Sequence, residues 1–193
     1  MAGFFDVQVI TLNDLRSDQY GLLIPDLAAI ICEVFSESPW NESFSAARIM
    51  FGLGVEMMRK NPILVIARHK QEGHLIGYML GQELLVESDD PRDQTFFKIS
   101  GGYDLDFLAN NNQRTFYVGG LGVRSKYRRL GVAEQLSATL ILELRRQKFD
   151  YRIGRTDLQA YGMRNLYIKQ GFKELQVHDI NYPERSYWLL SLN

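Results

Sequence analysis

The chain has 193 residues, with 22 Lys+Arg against 23 Asp+Glu, a formal net charge of −1, 46% hydrophobic and 23% charged residues. That composition excludes a disordered chain, and the length predicts a single domain over 1–193. Its one cysteine, Cys32, excludes an internal disulfide and a zinc site built from several cysteines. No metal site is expected. No apolar run approaches the roughly 20 residues of a membrane span. Met1 to Ile10 lacks a basic stretch and carries Asp6, which reads against a secretory leader, so a cytoplasmic protein is expected.

Residues 5–11 alternate loosely and predict a first strand. From Ile24 to Phe35 apolar residues recur at helical spacing, with Pro25 tolerated near the start. Cys32 within it reads as a small buried hydrophobe. Pro39 and Trp40 break the pattern, and a second helix over 43–60 is weakened by Gly52 and Gly54. Two apolar runs, 62–67 and 74–80, flank the polar stretch Arg68 to Gly73 and predict a hairpin. His69 and His74 beside its turn read as solvent-facing.

Residues 86–114 hold Gly101-Gly102, Asn110 to Asn112 and much of an acidic cluster running from Glu83 to Asp106. So long an irregular stretch inside a domain reads as an inserted loop. Its acids could steer a cation, and the bland alternative is a solvated loop remote from the chemistry. Residues 115–123 predict a strand interrupted by glycines. Gly131 to Lys148 carries Val132, Leu136, Leu140 and Leu144 on one stripe, an amphipathic helix. A strand over 151–158, a short helix over 161–170 stopped by Gly171, and strands over 172–177 and 186–190 follow. Strand, helix, strand, helix implies a parallel crossover, whereas the earlier hairpin implies antiparallel neighbours, so the sheet should be mixed.

The segment Leu121-Gly-Val-Arg-Ser-Lys-Tyr-Arg-Arg-Leu-Gly-Val-Ala133 runs from the end of a strand through a basic loop into a helix. Helix N-termini present unpaired N–H groups and the positive end of the dipole. Small residues at Gly131 and Ala133 let an anion approach the main chain, and arginines beside them add charge. The segment therefore reads as a pyrophosphate cradle. A nucleotide P-loop is excluded because no glycine, four residues, Gly-Lys-Ser/Thr run is present. A dinucleotide fingerprint fails because Gly120-Leu-Gly122-Val-Arg-Ser125 lacks its third glycine and lies ahead of the helix.

Val123-Arg124 followed by Arg128-Arg129-Leu130-Gly131-Val132-Ala133 resembles the Arg/Gln-x-x-Gly-x-Gly/Ala motif of the GNAT acetyltransferase superfamily. Asn165-Leu-Tyr-Ile-Lys-Gln-Gly-Phe172 resembles that family's Leu-Tyr-x-x-x-Gly-Phe signature, in the right order downstream. The two motifs cover 115–173. The resemblance implies an α/β fold: a central, mixed, mostly antiparallel sheet of about seven strands, the parallel fourth and fifth splayed apart, flanked by about four helices.

It further implies acetyl-CoA as the cofactor, with its pyrophosphate on the main-chain N–H groups of Arg129, Leu130, Gly131, Val132 and Ala133, beside Arg128. The pantetheine arm would pair with the backbone around Leu121, Gly122 and Val123 like an added strand. Gly119-Gly120 suits the splay that this requires, or these glycines simply pack under a bulky neighbour. Tyr167 stands where the family's tyrosine protonates the departing thiolate; the alternative is a core tyrosine. Two departures stand out. Ala160 occupies a position that is often asparagine, and no acid lies on 115–123, where many members carry a glutamate base. Glu83 is the candidate base, or the proton leaves through water.

The function expected is acetyl transfer to a primary amine of a small molecule or peptide, by direct attack through a tetrahedral intermediate. A non-catalytic acyl-CoA-binding or regulatory module on the same fold is the alternative. Nucleic acid is not an expected partner, since the basic block from Arg124 to Arg155 lacks a recognition motif. Nor is a membrane. The oligomeric state, a homodimer included, is not fixed by the sequence.

Overall fold

A computed structural model describes residues 3–10, 14, 23–85, 113–177 and 182–193. The expected acidic loop over 86–114 lies almost wholly outside them. The strands are β1 (Phe5–Ile10), β2 (Ile63–His69), β3 (Leu75–Leu84), β4 (Thr115–Val123), β5 (Tyr151–Asp157), β6 (Lys173–Glu174) and β7 (Arg185–Ser191). The helices among the described residues are α1 (Leu23–Ser36), α2 (Ala46–Glu56), α3 (Val132–Arg146) and α4 (Tyr161–Lys169). The strands form one seven-stranded sheet in the order β1-β2-β3-β4-β5-β7-β6, mixed as the sequence predicts and of the strand number that the resemblance implies. The chain divides into two compact units, Met1–Gln82 with Gly120–Glu143, and Glu83–Gly119 with Leu144–Asn193.

In the first unit β1 pairs antiparallel with β2, from Phe5↔His69 to Ile10↔Leu64, and β2 with β3, from Ile63↔Gly81 to Arg68↔Leu75. Ile63 to Ala67 are all buried, as expected of a continuous apolar run in a sheet covered on both faces. Leu23, Leu27, Ile30, Ile31 and Val34 place the apolar stripe of α1 in a core shared with Leu64, Ile66 and Tyr78. Each fully buried aliphatic side chain here contributes about 1.5–3 kcal/mol. Helix α2 is weaker. Ser45 caps it by accepting from the Arg48 N–H at 3.3 Å, but Leu53 is its one buried residue.

In the second unit β4 runs parallel to β5, and β7 lies antiparallel to both β5 and β6. Helix α3, whose residues up to Glu143 belong to the first unit, buries Val132, Leu136, Leu140 and Leu144, the stripe read from the sequence. Acidic Glu134 in its first turn and Arg145 and Arg146 in its last complement the helix dipole.

Three differences from the sequence reading have physical causes. Strand β3 continues to Leu84 because Gln82 and Glu83 are buried, the carboxylate of Glu83 being paired with Arg114. Strand β6 is two residues long, although the Leu175 N–H still donates to Tyr187 O at 2.8 Å. His69 and His74 are half-buried rather than solvent-facing, their rings stacked 5.5 Å apart at 1°.

Candidate active site

Strand β4 carries the site's first feature. Its parallel ladder with β5 runs from Thr115↔Tyr151 to Val118↔Gly154 and ends there, although β4 continues to Val123 and β5 to Asp157. Gly120 takes the packing role left open by the sequence, and Gly122 shares it. A Cβ on Gly122 would stand 2.6 Å from the Tyr78 ring, and one on Gly120 would stand 3.2 Å from its hydroxyl, so these two make room for Tyr78. Gly119 is open, with its nearest neighbour at 3.9 Å.

The loop after β4 is built from alternating backbone conformations. Ser125–Tyr127 form one 3₁₀ turn, Arg128 is extended at φ −68° and ψ 156°, Arg129 is left-handed at φ 60°, and Gly131 is left-handed at φ 82°. The two left-handed residues curl the backbone just ahead of a helix, the kind of place where main-chain N–H groups can hold an anion. Helix α3 begins at once. Its first turn closes with Gln135 N–H donating to Gly131 O at 3.0 Å, so the N–H groups just ahead have no partner within the helix. A Cβ on Gly131 would meet nothing within 4 Å, which leaves open space over the loop. Gly77 of β3 lets the helix come close: a Cβ there would lie 3.1 Å from Val132 and 3.2 Å from Leu136.

The arginines of this loop are anchored. Arg124 donates to Glu33 at 2.5 Å and to Leu75 O at 2.9 Å, and Glu33 also accepts the Ser125 N–H at 3.2 Å. Arg128 pairs with Glu37 and donates to Val123 O at 3.0 Å. Glu33 on the last turns of α1 and Glu37 just past its end hold the loop in shape. Sequence reading missed both, because their partners lie 91 residues away. Tyr127, buried, fixes the other side: its hydroxyl is 3.0 Å from His74 Nε2, and His74 Nδ1 is 3.1 Å from Glu72.

Tyr167 sits on α4 and is 2% exposed. Its ring lies 4.7 Å from Phe172 and stacks on Trp188 at 5.4 Å. A Cβ on Gly154 would overlap the Tyr167 hydroxyl, so glycine at that position of β5 is what admits the phenol. Burial pushes the phenol up from its ordinary value, and Arg152 pulls against it. Ala160, ahead of α4, caps nothing with its side chain; Asp157 accepts the Gln159 N–H at 2.7 Å instead.

Glu83 is buried at the end of β3 and takes a two-point contact from Arg114, at 3.2 Å and 2.9 Å. The hydrogen bond with Glu83 raises the Arg114 guanidinium from its ordinary value. Arg114 also lies over the Phe149 ring at 4.1 Å and donates to Gln147 O. A carboxylate already neutralised in this way accepts a proton less readily than a free one. Glu83→Gln is therefore expected to lower stability by about 1–3 kcal/mol while leaving most of the turnover. Denaturant unfolding beside a rate measurement checks this, and a loss of turnover with stability kept would make Glu83 the base.

Cys32 is half-buried, its thiol toward Phe44 O at 3.5 Å. Among the described residues no group of three or more His, Cys, Asp or Glu side chains is placed to hold a metal ion, and no helix is long and apolar enough to cross a membrane.

A model of the acetyltransferase (GNAT) family matches residues 24–172. No curated protein matches the chain. Among solved structures the chain is similar to one from the NatC complex bound to Gag peptide and CoA, at 19% identity and TM-score 0.61 over 97% of this chain and 99% of that one. It is similar to the ribosomal-protein-S18-alanine N-acetyltransferase from Escherichia coli, at 13% and 0.59 over 98% and 94%. It is similar also to yncA from Salmonella typhimurium with its cofactor acetyl-CoA, at 10% and 0.64 over 99% and 95%. At such identities the structures establish the fold. The family model reaches from α1 past α4 to Phe172, and the chain belongs to the GNAT family of acetyltransferases.

Proposed function

We propose that this chain is a single-domain N-acetyltransferase that moves an acetyl group from acetyl-CoA to a primary amine of a small molecule or peptide. The observation that carries this reading is the curled loop from Arg128 to Gly131, with its two left-handed residues and open space over Gly131, leading directly into α3. Acetyl-CoA supplies the activated acetyl thioester. In this reading the N–H groups of Arg129 to Ala133 hold its pyrophosphate, with Arg128 alongside. The backbone of Leu121, Gly122 and Val123, beyond the end of the β4–β5 ladder, pairs with the pantetheine amides.

A backbone N–H of β4 polarises the thioester carbonyl as the amine attacks. Tyr167 gives its hydroxyl proton to the leaving thiolate. A free thiol has a pKa near 8.5 and a free phenol near 10; burial raises the Tyr167 phenol further and the Arg152 cation works against that rise, so positioning must carry the transfer. The amine proton leaves to water, because the bidentate contact with Arg114 occupies Glu83. One structural neighbour is bound to a Gag peptide and another is a ribosomal-protein-S18-alanine N-acetyltransferase, which supports an amine acceptor and makes peptide N-termini the first acceptors to try.

The test is amine-dependent release of CoA, measured with polyamines, amino sugars, lysine-containing peptides and free peptide N-termini. Transfer to any amine in that panel supports the reading. Saturable binding of acetyl-CoA with no transfer to any of them would instead favour an acyl-CoA-binding module.

A further inference from the structure

Arg152, the second residue of β5, lies opposite Phe116 of β4 and Leu190 of β7 and is 0% exposed. Burying a guanidinium costs several kcal/mol, and a well-packed apolar side chain of similar volume is often at least as stable. A cation kept at such a place therefore calls for a reason beyond packing.

Its surroundings supply one. Side chains alternate along a strand, so Arg152 and Gly154 share one face of β5, about 7 Å apart. The hydroxyl of Tyr167 rests over Gly154 on that same face. The Phe172 ring lies 5.0 Å from the Arg152 guanidinium and 4.7 Å from the Tyr167 ring, and Trp188 stacks on the far side of the tyrosine. Aromatic walls exclude water, and a charge acts more strongly where water cannot screen it.

We propose that Arg152 is a positioning residue for Tyr167, its buried charge steadying the phenolate formed when the tyrosine hydroxyl gives up its proton. The inference rests on the reading of Tyr167 as the proton donor. In the step the phenol O–H bond breaks and an S–H bond forms on CoA, leaving the phenolate beside Arg152. The proton released to water by the acylated amine is matched by one that returns to the phenolate, so amine and acetyl-CoA become amide and CoA thiol with nothing left over. The electrostatics run the same way. Burial raises the phenol while Arg152 lowers it; burial brings the guanidinium down to about 10 while Tyr167 holds it up, so Arg152 stays cationic at neutral pH.

The test is a double-mutant cycle on kcat with Arg152→Met, Tyr167→Phe and the pair, with Arg152→Gln in place of the Met variant if that one does not fold. Arg152→Met alone is expected to lower kcat by about 10- to 100-fold with both KM values nearly kept. In the Tyr167→Phe background the same change should have almost no effect, because the hydroxyl it serves is gone. Arg152→Lys, which restores a charge, should recover part of the loss. Equal losses in both backgrounds, or no loss in the single variant, would overturn the role of Arg152 while leaving Tyr167 as the donor. Full activity in Tyr167→Phe alone would overturn the donor reading, and this inference with it.

Discussion

A Tyr167→Phe variant is expected to turn over about 10²–10⁴-fold more slowly while binding acetyl-CoA as the wild type does. The substitution removes one oxygen and keeps the ring, so the contacts with Phe172 and Trp188 persist. Stability should stay within about 1.5 kcal/mol, the net worth of a typical hydrogen-bonding group. Steady-state kinetics beside a thermal melt separate the two effects. If the variant works at full rate, Tyr167 is a core residue that closes α4 onto β5 and β7, and the leaving thiolate is protonated by water.

Gly131→Val should abolish acetyl-CoA binding and leave the protein folded. Valine at φ 82° is strained, at about 1–3 kcal/mol. Its side chain would meet no protein atom near the Cβ and would instead enter the open space that the proposed function gives to the phosphate. At 100 times its dissociation constant, acetyl-CoA should stabilise the wild type by roughly 2.7 kcal/mol through mass action. The variant should show no such shift. Gly131→Ala carries comparable backbone strain with a smaller side chain and should keep part of it. A shift that survives intact in the valine variant would place the pyrophosphate elsewhere.

What the sequence made legible was local. Strand β4 begins and ends where alternation and glycine placed it, the stripe of α3 is buried as its spacing requires, and the loop between them has the left-handed glycine that a close anion approach demands. What it hid depends on partners distant in the chain. Nothing near Glu33 or Glu37 in the sequence announces Arg124 and Arg128, the partners that the fold brings to them. Glu83 was a candidate base with no partner in view, because nothing near it in sequence announces Arg114. Gly154 and Arg152 looked like an ordinary glycine and one more base of a basic block; the fold makes one the seat of the Tyr167 hydroxyl and buries the other. The histidines beside the hairpin turn show the same limit, since their stack on one another and their link to Tyr127 need strands and a loop that only the tertiary fold brings together.

The most direct measurement is a crystal structure of the protein grown with acetyl-CoA. The account predicts pyrophosphate oxygens within hydrogen-bond distance of the N–H groups of Arg129 to Ala133, and pantetheine amides paired with the main chain between Leu121 and Val123. Pyrophosphate bound away from the start of α3, or a pantetheine arm that makes no main-chain pairs with β4, would contradict it.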